Sequence, residues 1–215
     1  MITTHGDNTK QLMVGLKNYP TANARPNWLS KWQASEAAWF QNKGFPTRKD
    51  EGWKYINLES ILETSFAPST KVNQIHVQAE VIQKYLLEGK EQADVLLING
   101  QWVSHSKIPG VSITPLQNAL SNNEGNLQQI VTHEWSQKNS FMAMNNAYFN
   151  DGAFISINAE TTLERPLHIV HLMTTPDNTP LVFFPRIVLH VQNGAKASVL
   201  LTEVDLGSKI GRAHV

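Results

Sequence analysis

The sequence predicts an α+β protein, a helical N-terminal region followed by an all-β segment. Three observations carry this reading. Trp28, Trp32 and Trp39 recur at helical spacing. Val95-Leu96-Leu97-Ile98, Asn99-Gly100 and Gln101-Trp102-Val103 read as two strands joined by a type I′ turn. From Gly152 onward, short runs rich in Val, Ile, Leu and Phe alternate with turn clusters, with no helical stretch between them.

Taken in order, Asn27 is the expected N-cap of the first helix. Trp28, Trp32, Ser35 and Trp39 mark its buried face, and Gly44 followed by Pro46 stops it. A second helix is expected over 78–87, with Val81, Ile82, Tyr85 and Leu86 as its stripe and Gly89 as its cap. After the hairpin, 111–114 reads as a short strand before Pro115. Residues 127–135 and 140–148 read as helices, the second through Phe141, Met144 and Tyr148. Asn150-Asp151-Gly152 reads as a turn.

Strands are then predicted over 154–158, 167–173, 183–192 and 197–204. In the third, Ile187, Leu189 and Val191 share one face while Arg186, Val188 and His190 share the other. The spacing suits a sandwich, a barrel or the coils of a β-solenoid, and periodicity does not choose among them. The expected organisation is a mainly helical region 1–150 with a hairpin near 95–103, then a β core beginning over 151–207.

Composition narrows the function classes. The chain has 215 residues, 18 Lys+Arg against 18 Asp+Glu, and no cysteine. Zero net charge gives no global field towards nucleic acid or an anionic membrane. Without cysteine this chain holds no disulfide, thiolate zinc site or cysteine-ligated cluster. At 41% hydrophobic it buries a real core. Its 17% charged residues fall below the roughly 25% of an average domain. The polar start Met1-Ile2-Thr3-Thr4-His5 lacks the basic and apolar regions of a secretory signal. No apolar run approaches the ~20 residues of a membrane helix. The expected setting is the cytoplasm.

Candidate chemistry is sparse. His168 and His171 lie three apart in a predicted strand, hence on opposite faces, one expected inward and one outward. That argues against a shared metal. Glu203 and Asp205 fall on one face of a strand, roughly 7 Å apart. Paired carboxylates at about that separation suit glycoside hydrolysis, so a carbohydrate-active β-helix enzyme is the alternative reading. No phosphate loop, dinucleotide fingerprint, nucleophile elbow or zinc-protease motif occurs. The residues alone describe a soluble α+β protein without a self-sufficient catalytic constellation.

One segment goes further. Gly44-Phe45-Pro46-Thr47-Arg48-Lys49-Asp50-Glu51-Gly52-Trp53-Lys54-Tyr55-Ile56-Asn57-Leu58 resembles the LPTRKxExWKYTxL signature of the SufB/SufD family, in its SufD branch. Gly52 stands where the family carries a polar residue, and Ile56 where it carries Thr. Asn145-Asn146-Ala147-Tyr148-Phe149-Asn150-Asp151-Gly152 resembles the family's LNTAFFxDG segment. Glu164-Arg165-Pro166-Leu167-His168-Ile169, Pro185-Arg186 and the stretch from Ala195 to Glu203 resemble its later strands. The family-motif residues are thus Pro46, Arg48, Glu51, Trp53, Lys54, Tyr55, Asn145, Ala147, Gly152, Pro166, Pro185, Arg186 and Glu203.

The resemblance implies a helical N-terminal region followed by the first coils of a right-handed parallel β-helix. It implies a non-catalytic scaffold for iron–sulfur cluster assembly, working with SufB and the ATPase SufC. It assigns no catalytic residue, metal ligand or cofactor to this portion; the assembled complex handles the cluster. The 46–55 segment is expected to be structural, with Trp53 and Tyr55 packed on neighbouring elements and Arg48 and Lys54 paired with acids. The chain is expected to be an N-terminal fragment ending in a non-native tail over 208–215. One back-translation of Lys209 to Val215 matches a common sequencing adapter. An open last coil is expected to expose apolar side chains and promote self-association.

Overall fold

The computed structural model describes residues 16, 25–69, 77–122, 126–133, 139–175 and 179–207. The expected tail 208–215 lies outside the described residues.

The first described helix, α1 (Asn27–Lys43), is the longest element. Its N-cap is Pro26, not the expected Asn27. The reason lies in the backbone: the Pro26 carbonyl accepts from Leu29 N at 3.0 Å and Ser30 N at 3.2 Å, which places Asn27 inside the first turn. Gly44 ends the helix as expected, at φ 71°, its N–H donating to the Phe40 carbonyl at 2.8 Å. The most buried line is Leu29, Gln33, Glu36 and Phe40 rather than the tryptophan stripe. Trp28, Trp32 and Trp39 flank that line and are partly buried against the core, and Ser35 is exposed.

Short helices follow. They are α2 (Glu59–Leu62), α3 (Ala79–Gln83), α4 (Leu116–Ser121), α5 (Leu127–Val131) and α6 (Ser140–Tyr148). The helix expected over 78–87 stops at Gln83. Tyr85 N and Leu86 N bond three residues back, to the carbonyls of Ile82 and Gln83, so the chain tightens out of the α form. In the stretch expected as helix over 127–135, the α form ends at Val131, where Thr132 N closes onto the Gln128 carbonyl; 134–138 lie outside the described residues. The α6 boundaries match expectation, and Asn139 caps the helix by accepting from Met142 N at 2.9 Å.

Among the described residues there are nine strands: β1 (Ala67–Pro68), β2 (Val95–Ile98), β3 (Gln101–His105), β4 (Val111–Pro115), β5 (Asp151–Ile157), β6 (Leu167–Met173), β7 (Leu181–Val182), β8 (Pro185–Val191) and β9 (Val199–Asp205). They form a two-stranded sheet β1-β7, a four-stranded sheet β3-β2-β6-β9 and a three-stranded sheet β4-β5-β8. The two larger sheets are mixed and open. Antiparallel β2–β3 and β4–β5 begin them, and parallel β2–β6, β6–β9 and β5–β8 extend them. The α+β class and the strand-only texture of the described residues after 150 agree with the sequence.

The hairpin is as predicted, with Asn99 at φ 47° and Gly100 at φ 77°. The turn expected over 150–152 is instead the start of β5, where Asp151 pairs with Pro185 and Gly152 with Arg186. A Cβ on Gly152 would lie 1.9 Å from the Arg186 carbonyl oxygen, and φ is 140°. Only glycine permits that approach between neighbouring strands.

Three apolar clusters hold the layers together. Phe40, Phe45, Leu116, Leu127, Phe149 and Phe154 belong to the cluster of the helical side. Val95, Leu97, Ile113, Ile155, Leu167 and Ile169 form the cluster contributed by both larger sheets. Leu96, Ile98, Val170 and Leu172, on the other face of the four-stranded sheet, are covered by Ile82, Tyr85 and Leu86. Both faces of β6 are therefore buried. This corrects the expectation of one inward and one outward histidine: His168 is 1% exposed and His171 2% exposed.

Candidate functional site

Most of the motif residues fall into two places. The first is the junction of α6 with β5 and β8. Asn145, near the end of α6, donates from Nδ2 to the Pro185 carbonyl at 3.0 Å. Its Oδ1 accepts from Arg186 Nε at 3.1 Å and Nη2 at 2.7 Å. Arg186 Nη2 also donates to Asn146 Oδ1, and the guanidinium lies 4.5 Å from the Phe149 ring centroid. Asn146 donates to Glu36 Oε2 at 2.9 Å, and Gln33 Nε2 donates to the Phe149 carbonyl at 2.9 Å. Burial lowers the Arg186 pKa to about 10, with Glu36 opposing the shift, so the guanidinium stays charged at neutral pH. A buried cation is tolerated because its donors are matched by amide oxygens and an aromatic face.

Ala147 is buried on the same helix, and Gly152 lets β5 approach β8 beside the network. Gln33 and Glu36 were not singled out from sequence. Their signal was present: they continue the line from Leu29 to Phe40 at helical spacing, two polar side chains in the most buried row of α1.

The second place is the segment after α1. Asp50 Oδ2 accepts from Thr47 N at 2.7 Å and Thr47 Oγ1 at 3.1 Å, which closes the turn and lowers the Asp50 pKa. Glu51 opens a 3₁₀ turn, Glu51–Trp53. Trp53 stacks on Phe141 at 5.1 Å between centroids, as expected of a packing residue. Tyr55 does not pack: it is 90% exposed, with Lys54 Nζ 5.5 Å from its ring centroid. Its neighbours sit in a turn that directs 54–57 to the surface. Arg48 and Lys54 are exposed and have no acidic partner among the described residues, contrary to the expected pairing. Arg48 and Pro46 line a groove of about 370 Å³.

Pro166 and Glu203 stand apart from both places. Pro166 is exposed and precedes β6. Glu203 Oε1 meets His171 Nδ1 at 3.2 Å. His171 Nε2 accepts from Gly100 N at 3.0 Å, so Nδ1 carries the proton and donates to Glu203. His168 Nε2 meets Thr202 Oγ1 at 2.9 Å, while His168 N donates to Asp94 Oδ2 at 2.8 Å. Asp94 also accepts from Lys90 Nζ at 2.6 Å and Ser106 Oγ at 2.8 Å. Burial lowers the pKa of both histidines. The histidines are cross-strand struts, and among the described residues no group of three or more His, Asp or Glu is placed to hold a metal. Glu203 is engaged with His171, and Asp205 Oδ1 accepts from Gly207 N at 2.8 Å. Each carboxylate of that pair is thus hydrogen-bonded within the chain.

These contacts define an α+β chain whose polar side chains join a helical layer to stacked sheets. The chain belongs to the SufBD family: the SufBD protein N-terminal region matches residues 21–169. It is similar to an iron–sulfur cluster assembly SufBD family protein of Synechocystis sp., 23% identical over 159 residues, covering 72% of this chain and 34% of that protein. The chain therefore spans about a third of the length of that curated relative. No described helix is long and apolar enough to cross a membrane.

Proposed function

We propose that the chain is the N-terminal portion of a SufD-type, non-catalytic scaffold for iron–sulfur cluster assembly, acting in the cytoplasm with SufB-like and SufC-like subunits. The observation that carries the reading is the family match over 21–169, which contains the 46–55 segment and both asparagines of the Arg186 network. The relative's printed role in iron–sulfur cluster assembly supports it. The residues bind no cofactor or metal on this reading; the cluster is cargo of the assembled complex.

The same proposal covers the architecture. β5 is followed by β6 in the other sheet, then β8 returns to pair in parallel with β5, and β9 with β6. That recurrence of roughly 33 residues supports the first turns of a parallel β-helix, a fold in which each turn needs a neighbour to cover its apolar face. On this reading the helical region 1–150 and the β core 151–207 are the two parts of the portion.

Complementation tests the role. A bacterial strain lacking its own SufD-type subunit is given the full-length gene carrying this portion, and an iron–sulfur reporter enzyme is assayed in the cells. Restored reporter activity, lost on deletion of residues 25–122, is the expected result. Full restoration by the deletion variant contradicts the role of this portion.

A further inference from the structure

Asn-Gly occurs twice in the chain, at Asn99-Gly100 and Asn193-Gly194. The pair is chemically labile as well as turn-forming. The glycine nitrogen can attack the side-chain carbonyl carbon of the asparagine, because glycine has no Cβ to crowd the approach. The fold treats the two pairs in opposite ways. Asn99 is buried and its side chain is clamped at both ends: Nδ2 donates to the Thr174 carbonyl at 2.8 Å, and Oδ1 accepts from Thr174 N at 2.9 Å. The attacking atom is held too, since Gly100 N donates to His171 Nε2 at 3.0 Å. Neither atom is free to move onto the other.

Asn193 and Gly194 stand exposed in the turn between β8 and β9. Neither the Asn193 side chain nor Gly194 N has a hydrogen-bond partner among the described residues. The turn is closed by Ala195 N donating to the Gln192 carbonyl at 3.1 Å, with Gly194 at φ 72°. Its ties to the preceding turn run through the main chain. The Asn193 carbonyl accepts from Glu160 N at 3.0 Å, Lys196 N donates to the Thr161 carbonyl at 2.8 Å, and Leu163 N donates to the Lys196 carbonyl at 2.9 Å. The Glu160 carboxylate lies against Gly194, in the space that a Cβ would fill. The reacting atoms are therefore unheld, while the backbone around them is stitched to 158–163.

We propose that Asn193 is a site of spontaneous deamidation, chosen over Asn99 by the fold, and that its product unfastens this turn from Glu160. Gly194 N gives its proton to solvent and forms a bond to Asn193 Cγ. The Cγ–Nδ2 bond then breaks, and the nitrogen leaves as ammonia. The result is a succinimide ring. Water adds to either ring carbonyl and opens it, giving aspartate, or isoaspartate with the main chain running through the former side chain. The net change is a water taken up and an ammonia released, with no oxidation or reduction. Both products place a carboxylate beside that of Glu160, and like charges repel. Isoaspartate also adds a methylene to the main chain where the Asn193 carbonyl meets Glu160 N. The proposal does not depend on the Suf assignment, and its failure leaves that assignment intact.

The test ages the 215-residue chain in mildly alkaline buffer at body temperature, once folded and once in concentrated guanidinium chloride. Both Asn-Gly peptides are followed by mass spectrometry. In the folded chain Asn193 is expected to convert at least about fivefold faster than Asn99, because conversion at Asn99 must wait for local opening. In denaturant the two rates are expected to agree within about threefold, since the fold no longer separates them. Hydrogen exchange gives a second readout. Amides of 158–163 are expected to exchange at least about threefold faster in the aged chain than in the fresh one, and at the fresh rate in aged Asn193→Gln. Three results overturn the proposal: a folded-chain rate at Asn193 less than about fivefold that at Asn99, a rate difference that survives in denaturant, or exchange over 158–163 unchanged by conversion at Asn193.

Discussion

Arg186 shows how one side chain fixes the joint between two layers. It sits where a β-strand meets the end of a helix, charged, largely buried and bonded to Asn145 and Asn146. Arg186→Met removes the charge but strands two amide oxygens, those of Asn145 and Asn146; a loss of about 3 kcal/mol is expected by denaturant titration. Gly152→Ala forces a Cβ into the Arg186 carbonyl and is expected to cost at least about 2 kcal/mol in the same assay. His171 provides a pH signature. Its pKa in the folded chain lies below the ordinary 6.5, because burial disfavours the cation. Its Nε2 also faces the Gly100 N–H, so a second proton meets a donor. The unfolded chain then binds the proton more readily, and stability is whole above pH 6.5 and falls below it. Burial of Asp151, whose pKa is raised, acts in the opposite direction. The melting midpoint is expected to fall between about pH 7 and about pH 5, less steeply in His171→Gln. A steeper fall in the variant contradicts this assignment.

At the scale of elements, what was legible followed local chemistry. Asn99-Gly100 announced its turn because both residues must take positive φ. Asn99 also bonds Thr174 through both side-chain amide atoms, a long-range contact no local pattern contains. The apolar runs of β6 and β8 gave strands within two residues of their observed ends. The start of β5 was not legible, since Asn150-Asp151-Gly152 has turn chemistry and only pairing with Pro185 and Arg186 makes it extended. Tyr55 was misread as a packing residue because aromatics usually pack, and exposure depends on the turn that carries it. The outer strands β8 and β9 leave Leu189, Val191, Val199, Leu200 and Leu201 between 39% and 47% exposed. An apolar edge strand is a pairing template. The 215-residue chain is expected to sediment as associated species, and Leu201→Lys to shift it towards monomer. A sharp monomer peak for the unaltered chain contradicts that expectation.

For the whole molecule, the sheets bind the two halves of the sequence together. β2 and β4, from the helical half, pair with β6 and β5 from the later half. A helical layer rests on one side through α1 and α6, and the short segment 77–86 covers the other face of the four-stranded sheet. Net charge, cysteine count and motif searches had already pointed away from nucleic acid and thiolate chemistry, but only the family motifs pointed to iron–sulfur assembly. Co-purification tests that proposal most directly. The full-length protein carrying this portion is co-expressed with the SufB-like and SufC-like subunits of its own organism and analysed by size exclusion with mass measurement. The account predicts one complex containing all three subunits; elution of the chain-bearing protein alone, while the other two pair without it, would contradict the account.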